Sequence, residues 1–226
     1  WLYLTVIYLL LFAPIVVMVI FSFNASKVGY QWGGLSLTWY RELLTNPALI
    51  QTAWHSVLLA VVAATVTTVI GGLTALSFQR YDFKGKSVLQ SLLFVLMMSP
   101  EIVLAISLLA LFLILGLQLG FMTLLIAHIT FCLPFVVITV SARLSSLDNQ
   151  LSEAARDLGA SELTMIRTVL MPIIMPAILA GWVLAFTLSL DDVVVSTFVT
   201  GPEFEILPLH IYSMVRVGVR PEVNAI

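Results

Sequence analysis

Three carboxylates stand where carboxylates are expensive. Glu101 sits in the stretch MMSPEIVLAISLL, and Asp191 and Asp192 sit in LAFTLSLDDVVVSTF, both otherwise almost wholly apolar. A charge in such surroundings is costly and usually faces a cavity, a water-filled path or a partner of opposite sign. Neither stretch holds a Lys or Arg to supply that sign. A cation with several ammonium groups and no anion would be a natural complement. Two structural readings compete with it: hydrogen bonding to backbone near Pro100, or pairing across an interface. Neighbouring helical residues point about 100° apart, so one of Asp191 and Asp192 is expected to face a path. Trp182 and Phe186 could add cation–π contacts, against a plainer role in packing. The same acids could serve acid/base work in a membrane-embedded enzyme, the competing functional class.

Other chemistry is thin. His128 and Cys132 are spaced i, i+4, but a closed metal site needs three or four ligands and no further ligand lies nearby in sequence. The segment FKGKS resembles the end of a phosphate-binding loop. A full motif needs Gly five residues before Gly85, and Arg80 stands there. His55 and His210 are isolated, and no nucleophile–base–acid set can be assembled.

The elements that carry the acids belong in a membrane. The chain has 226 residues, 61% hydrophobic and only 10% charged, with mean hydropathy +1.10. Soluble domains carry about 25% charged residues. A net charge of −2 gives no reason to expect nucleic acid, and the single cysteine, Cys132, excludes an internal disulfide. The chain opens on Trp1 inside an apolar run, which reads as a truncated start; no basic leader or cleavage site is visible. Five spans are expected, at residues 2–21, 55–78, 87–120, 121–142 and 172–199. The third, as one straight helix, would be about 51 Å long against about 30 Å of hydrocarbon, so a break at Pro100 is expected. Between the first two spans, Tyr30, Trp32, Trp39 and Tyr40 suit a membrane interface, and SLTWYRELLTN suits a short helix capped by Ser36 or Thr38. Glu101 lies 15 residues beyond Lys86, and Asp191 lies 15 beyond Pro176. Along straight helices both distances are about 22 Å, which puts the acids at similar depth.

Basic residues orient the chain. Arg80, Lys84 and Lys86 share one loop, and Arg143, Arg156 and Arg167 share another, two spans later. Lys27, Arg41, Arg216 and Arg220 fall on the other side. Six against four places the two loops, and the N-terminus, in the cytoplasm. Pro221 and Glu222 suit a helix start, so a sixth span is expected to begin there.

The second loop contains EAARDLGASELTMIRTVLMP, with five charges in twenty residues. Leu151, Ala154, Ala155 and Leu158 recur at helical spacing. Gly159 is placed to end that helix. Ser161 can cap a second, striped by Leu163, Ile166 and Leu170 and stopped by Pro172. The order Glu153-Ala154-Ala155, Gly159, Val169, Met171-Pro172 resembles the cytoplasmic loop of ABC importer permeases, with Val169 and Met171 replacing the usual Ile and Leu. In that family the loop is the coupling helix that docks on the ATPase. FNASK, YDFKGKS, HITFCLPFVVITV, GWVLAFTLSLDDVVVSTFVTGP and ILPLHIYSMVRVGVRPEVNA extend the resemblance across the chain, to the PotC-type permeases of spermidine/putrescine importers. A putrescine-specific sister family is similar but less close around MSPEIV and EILPL.

The resemblance implies an all-α polytopic fold of the type I importer (MetI-like) class, a single transmembrane permease domain over 1–226 with a coupling loop at about 143–172. It implies a bacterial inner-membrane subunit that is not itself an enzyme. ATP and Mg would be bound by a PotA-like ATPase dimer. A PotB-like second permease and a PotD-like periplasmic polyamine-binding protein would complete the complex. Glu101, Asp191, Asp192 and Trp182 are then candidates for the substrate pathway, and Glu153, Ala154, Ala155 and Gly159 for coupling.

Overall fold

The computed structural model describes residues 1–26, 31–148, 150–217 and 221–226, without the side chains of residues 2, 150, 152, 156, 217, 221 and 222. Lys27, Tyr30 and Arg220 therefore lie outside the described residues, as do the side chains of Arg156, Pro221 and Glu222. The chain divides into two compact units, Trp1–Ser56 with Glu205–Ile226, and Val57–Phe204.

In the first unit, α1 (Leu2–Ser22) is apolar on every side and contains Pro14. Its side chains from Tyr3 to Ile20 are exposed in the isolated chain. A helix apolar all round suits an apolar environment. The turn that follows is organised by the buried Asn24. Its amide donates to the Gln31 carbonyl at 2.6 Å and accepts from the Gly33 N–H at 2.7 Å. α2 (Thr38–Thr45) then delivers Trp39, whose indole donates to the Asn24 carbonyl at 2.7 Å. Tyr40 shares a 2.7 Å hydrogen bond with Ser22. Trp39 is thus 4% exposed and ties a loop rather than lying in an interfacial belt. Trp32 is 52% exposed and remains available for one. No side chain caps α2 at its N-cap, Leu37; Ser36 Oγ instead accepts from the Thr38 N–H.

α3 (Pro47–Arg80) opens on proline and runs 34 residues, well beyond the expected 55–78. α4 (Lys86–Met98) and α5 (Glu101–Ile114) are bent by 113°. The cause is Pro100. It lacks an N–H and forces the preceding residue out of helical geometry, and Ser99 is extended at φ −69°, ψ 135°. Glu101 therefore does not lie on a straight continuation of the helix from Lys86. α6 (Phe121–Ser145) carries Pro134 internally.

α7 (Gln150–Asp157) and α8 (Glu162–Met165) are separated by Gly159 at φ +82°, a left-handed conformation that suits glycine. Ser161 Oγ accepts from the Thr164 N–H at 3.3 Å, as its cap role requires. Pro172 does not stop the chain here. A π-helical turn, Ile166–Leu170, leads directly into α9 (Met171–Leu190). A proline removes one hydrogen bond and crowds the carbonyl four residues earlier, and the wider π turn relieves that conflict. α9 ends at Leu190, earlier than the expected 199, and α10 (Val194–Val199) follows a break. α11 (Leu207–Val217) and a 3₁₀ turn, Pro221–Asn224, return to the first unit.

Within Val57–Phe204, α6 packs against α9 and α4, and α5 packs against α10. Val136 of α6 marks the closest approach. A Cβ on Gly71 of α3 would lie 2.8 Å from its Cγ1, and one on Gly181 of α9 would lie 3.3 Å away. Small residues at such points let helices approach in apolar surroundings. The chain is all-α among the described residues. Residues 3–22, 47–80, 121–145 and 162–190 form helices long and apolar enough to cross a membrane, with α4 and α5 as a broken fifth candidate.

Candidate functional site

The Val57–Phe204 unit has two ends, and side-chain contacts define them. Arg80, closing α3, lies 3.3 Å from the Glu162 carboxylate at the start of α8. Tyr81 donates to the same carboxylate at 2.9 Å. The 80–86 loop and the 150–165 loop therefore share one end, whatever the environment between. Lys86 reaches Asp82 at 2.8 Å, and its ammonium holds that exposed carboxyl below the usual carboxylate range. Every Lys and Arg of this unit falls within 80–86 or 143–167. The far end lies about 37 Å away along the 25 residues of α6. There Thr123 donates to the Val199 carbonyl at 2.9 Å, and Gly201 lies so near Leu119 that an added Cβ would sit 2.0 Å from its carbonyl oxygen.

The adjacent aspartates occupy opposite settings. Asp192 is 8% exposed and caps α10. One carboxylate oxygen accepts from the Val195 N–H at 3.2 Å, and the other accepts from the Ser196 N–H at 2.8 Å and the Ser196 hydroxyl at 2.7 Å. An anion at a helix N-terminus is favoured. Asp191 is exposed and forms the C-cap of α9, the end where an anion is disfavoured. Its side chain has no hydrogen bond or ion pair among the described residues. The pair thus divides, with Asp191 open and Asp192 spent on structure, but because the two flank a break between helices and not because of the expected angle along one helix.

Glu101 is exposed at the first position of α5. The helix N-terminus favours it there, and it too lacks a side-chain partner among the described residues. α5 packs on α10, directly after the aspartates, so Glu101 and Asp191 are carried by neighbouring elements without bonding to each other. Trp182 does not join them. Its indole donates to Thr65 at 3.1 Å, and its ring stacks on Phe186 at 5.3 Å. It lies nine residues before Asp191, about 13 Å along α9, and ties α9 to α3.

Sequence reasoning missed the surroundings of His128. It is fully buried, with Nδ1 at 2.7 Å from Ser189 Oγ and Nε2 at 3.1 Å from Ser196 Oγ. The signal was present as Asp192 followed by an apolar run with Ser196 four residues on, a helix-start pattern. The long apolar context concealed it.

At the loop end, Glu153 and Ala154 are exposed, whereas Ala155 is 9% exposed and packs with Met165 and Leu170. Ala155 therefore faces the loop's own small core rather than outward. Leu158 is 89% exposed, Leu163 57% and Leu151 41%. Of the expected stripe Leu151, Ala154, Ala155 and Leu158, all but Ala155 form a surface without a cover among the described residues.

Residues 67–218 match the family described as "Binding-protein-dependent transport system inner membrane component". The chain is 58% identical over 224 residues, 99% of its length and 85% of the relative's, to the spermidine/putrescine transport system permease protein PotC of Escherichia coli strain K12. It is 53% identical to the Haemophilus influenzae protein of the same description, covering 98% of this chain and 86% of that one. Its fold superposes on a bacterial ABC transporter involved in import of the acidic polysaccharide alginate, with TM-score 0.76 at 18% identity, covering 99% of this chain and 87% of that one. The apolar helices, the two-helix loop with its left-handed glycine and these similarities give one result: the chain belongs to the family of binding-protein-dependent inner-membrane transport components.

Proposed function

We propose that this chain is a permease subunit of an ATP-driven polyamine importer, taking up spermidine or putrescine. The observation that carries the substrate class is charge. Beyond its basic loops, the Val57–Phe204 unit holds the acids Glu101, Asp191, Asp192 and Glu203, and no Lys or Arg occurs between Lys86 and Arg143 or between Arg167 and Arg216. A polycation passing along those segments meets only carboxylates, and a polyanion would meet no complement. The description of the E. coli and H. influenzae relatives supports the same class. Glu101 and Asp191 form the acidic stage of the path; Asp192 holds its frame, and Trp182 serves packing.

The exposed Leu151, Leu158 and Leu163 with Glu153 and Ala154 form the surface for a PotA-like ATPase, which binds ATP and Mg. Gly159 sets the angle between α7 and α8. A PotB-like permease and a PotD-like binding protein complete the assembly in a bacterial inner membrane. The loop end and the N-terminus lie in the cytoplasm. The test is reconstitution of this chain with such partners in proteoliposomes. Spermidine-loaded binding protein is expected to stimulate ATP hydrolysis and uptake of labelled spermidine; hydrolysis without stimulation, or uptake without any ATPase, would overturn the reading. For orientation, Lys84→Cys in a Cys132→Ala background is expected to react with an impermeant maleimide only from the cytoplasmic face.

A further inference from the structure

The break between α9 and α10 is held by a buried polar chain that neither the family likeness nor the acid-pathway reading requires. Its direction follows from donor capacity. The Ser196 hydroxyl donates to Asp192, so toward His128 it can only accept, and His128 Nε2 must carry the hydrogen. In the neutral ring Nδ1 is then bare and accepts from the Ser189 hydroxyl. The order is Ser189 to His128 to Ser196 to Asp192, with every member satisfied and every member buried. Buried networks that are fully satisfied impose one arrangement on the backbone that bears them.

Three helices contribute: α6 through His128, α9 through Ser189, and α10 through Ser196. The span from Ser189 to Ser196 contains the whole break. His128 Nε2 also lies 3.6 Å from the Asp192 carboxylate, and the ring meets Phe131 edge-on at 5.4 Å, which fixes its plane. α9 and α10 are thereby pinned to α6 on either side of Asp191. Asp191 has no hydrogen bond of its own to set its direction among the described residues. Its direction is inherited from the two pinned helix ends.

We propose that His128 is a positioning residue for transport: by clamping Ser189 and Ser196 across the break, it aims the Asp191 carboxylate at the passing ammonium group. The proposal rests on the reading of Asp191 as part of the cation path. It places the origin of substrate affinity partly in a residue that does not touch substrate. Loosening the clamp lets Asp191 sample other directions, and the cost falls on apparent affinity.

The experiment is a double-mutant cycle in the complete importer reconstituted in proteoliposomes, with labelled spermidine as probe. The variants are His128→Ala, Asp191→Asn and both together, with His128→Gln as the conservative replacement. Each single variant is expected to raise the KM for spermidine about tenfold, the size of a direct coupling between residues in one network. The double variant is expected to match Asp191→Asn alone, because a clamp has no effect once its target carboxylate is gone. His128→Gln, whose amide can donate to Ser196 from the Nε2 position, is expected to recover most of the affinity. If His128→Ala does not assemble, Ser196→Ala takes its place in the cycle. Multiplying effects of the two sites, with Asp191→Asn itself defective, would overturn the clamp and leave the pathway reading standing. A silent Asp191→Asn would remove the pathway reading and the clamp with it.

Discussion

At the loop end of the Val57–Phe204 unit, two ion pairs hold charges while leucines are bare; beyond the basic loops, two carboxylates are bare. Arg80 meets Glu162 and Lys86 meets Asp82, while Leu158 stands 89% exposed. Asp191 and Glu101 have no side-chain partner among the described residues, whereas Leu124, Val195 and Val199 are completely buried. An apolar surface without cover suits a protein partner. Carboxylates without cover suit a cation. The unit therefore displays two unmet needs of opposite chemistry, and a transporter subunit needs both.

The most severe test of the comparison is Ala155→Glu. It drives a charge into the small core of Met165 and Leu170, at a cost of several kcal/mol for an unpaired buried ion. Loss of both uptake and binding-protein-stimulated ATP hydrolysis is expected in reconstituted complexes; Ala154→Glu, on the exposed side, is expected to spare the fold of the loop and weaken ATPase pull-down. Next in size is Gly201→Ala. Its Cβ would fall 2.0 Å from the Leu119 carbonyl oxygen, and backbone cannot yield as a side chain can. A loss of about 1–3 kcal/mol is expected, read as a lower thermal midpoint of the purified complex.

Gly159→Val places a β-branched residue at φ +82°, costing about 1–2 kcal/mol, although open space surrounds it. The expected result is normal assembly with reduced stimulation of ATP hydrolysis; unchanged stimulation would break the link between the turn and coupling. Asp192→Asn is expected to lower thermal stability by about 1–3 kcal/mol, because one accepting oxygen becomes an amide donor and leaves a buried donor of Val195 or Ser196 unsatisfied. Asp191→Asn is expected to leave stability unchanged or raise it slightly, since it removes an anion from a helix C-terminus, and to cost affinity for spermidine instead. Equal stability losses in the two variants would erase the division between them. The smallest effect belongs to Asp82→Asn, which removes one ion pair whose carboxylate is fully exposed. Uptake at high and low salt is expected to stay at the unmodified level.

Much of this was legible in the residue order. Pro100 breaks its helix because proline must, and Gly159 and Ser161 turn and cap because their local chemistry favours it. Pro172 misled for an instructive reason. A proline ends a helix only if no alternative hydrogen bonding absorbs it, and the π turn Ile166–Leu170 supplied one. Trp39 misled similarly: an interfacial aromatic and a loop-tying indole look alike until its acceptor, the Asn24 carbonyl, is placed fifteen residues away. The helical stripe of the loop put Ala154 and Ala155 on one face, but packing turns Ala155 inward and leaves Ala154 outward.

By itself the sequence determined the membrane class, the order of helices, the polar loop and the presence of acids without neighbouring cations. Those features depend on composition and on contacts a few residues long, so the chain order contains them. Tertiary structure decided which acid is free. Asp191 and Asp192 differ by one position, yet one closes α9 and the other opens α10. His128, sixty-one residues before Ser189, secures that break. Such a division depends on three helices meeting in space, and no local pattern encodes which side chains will meet there.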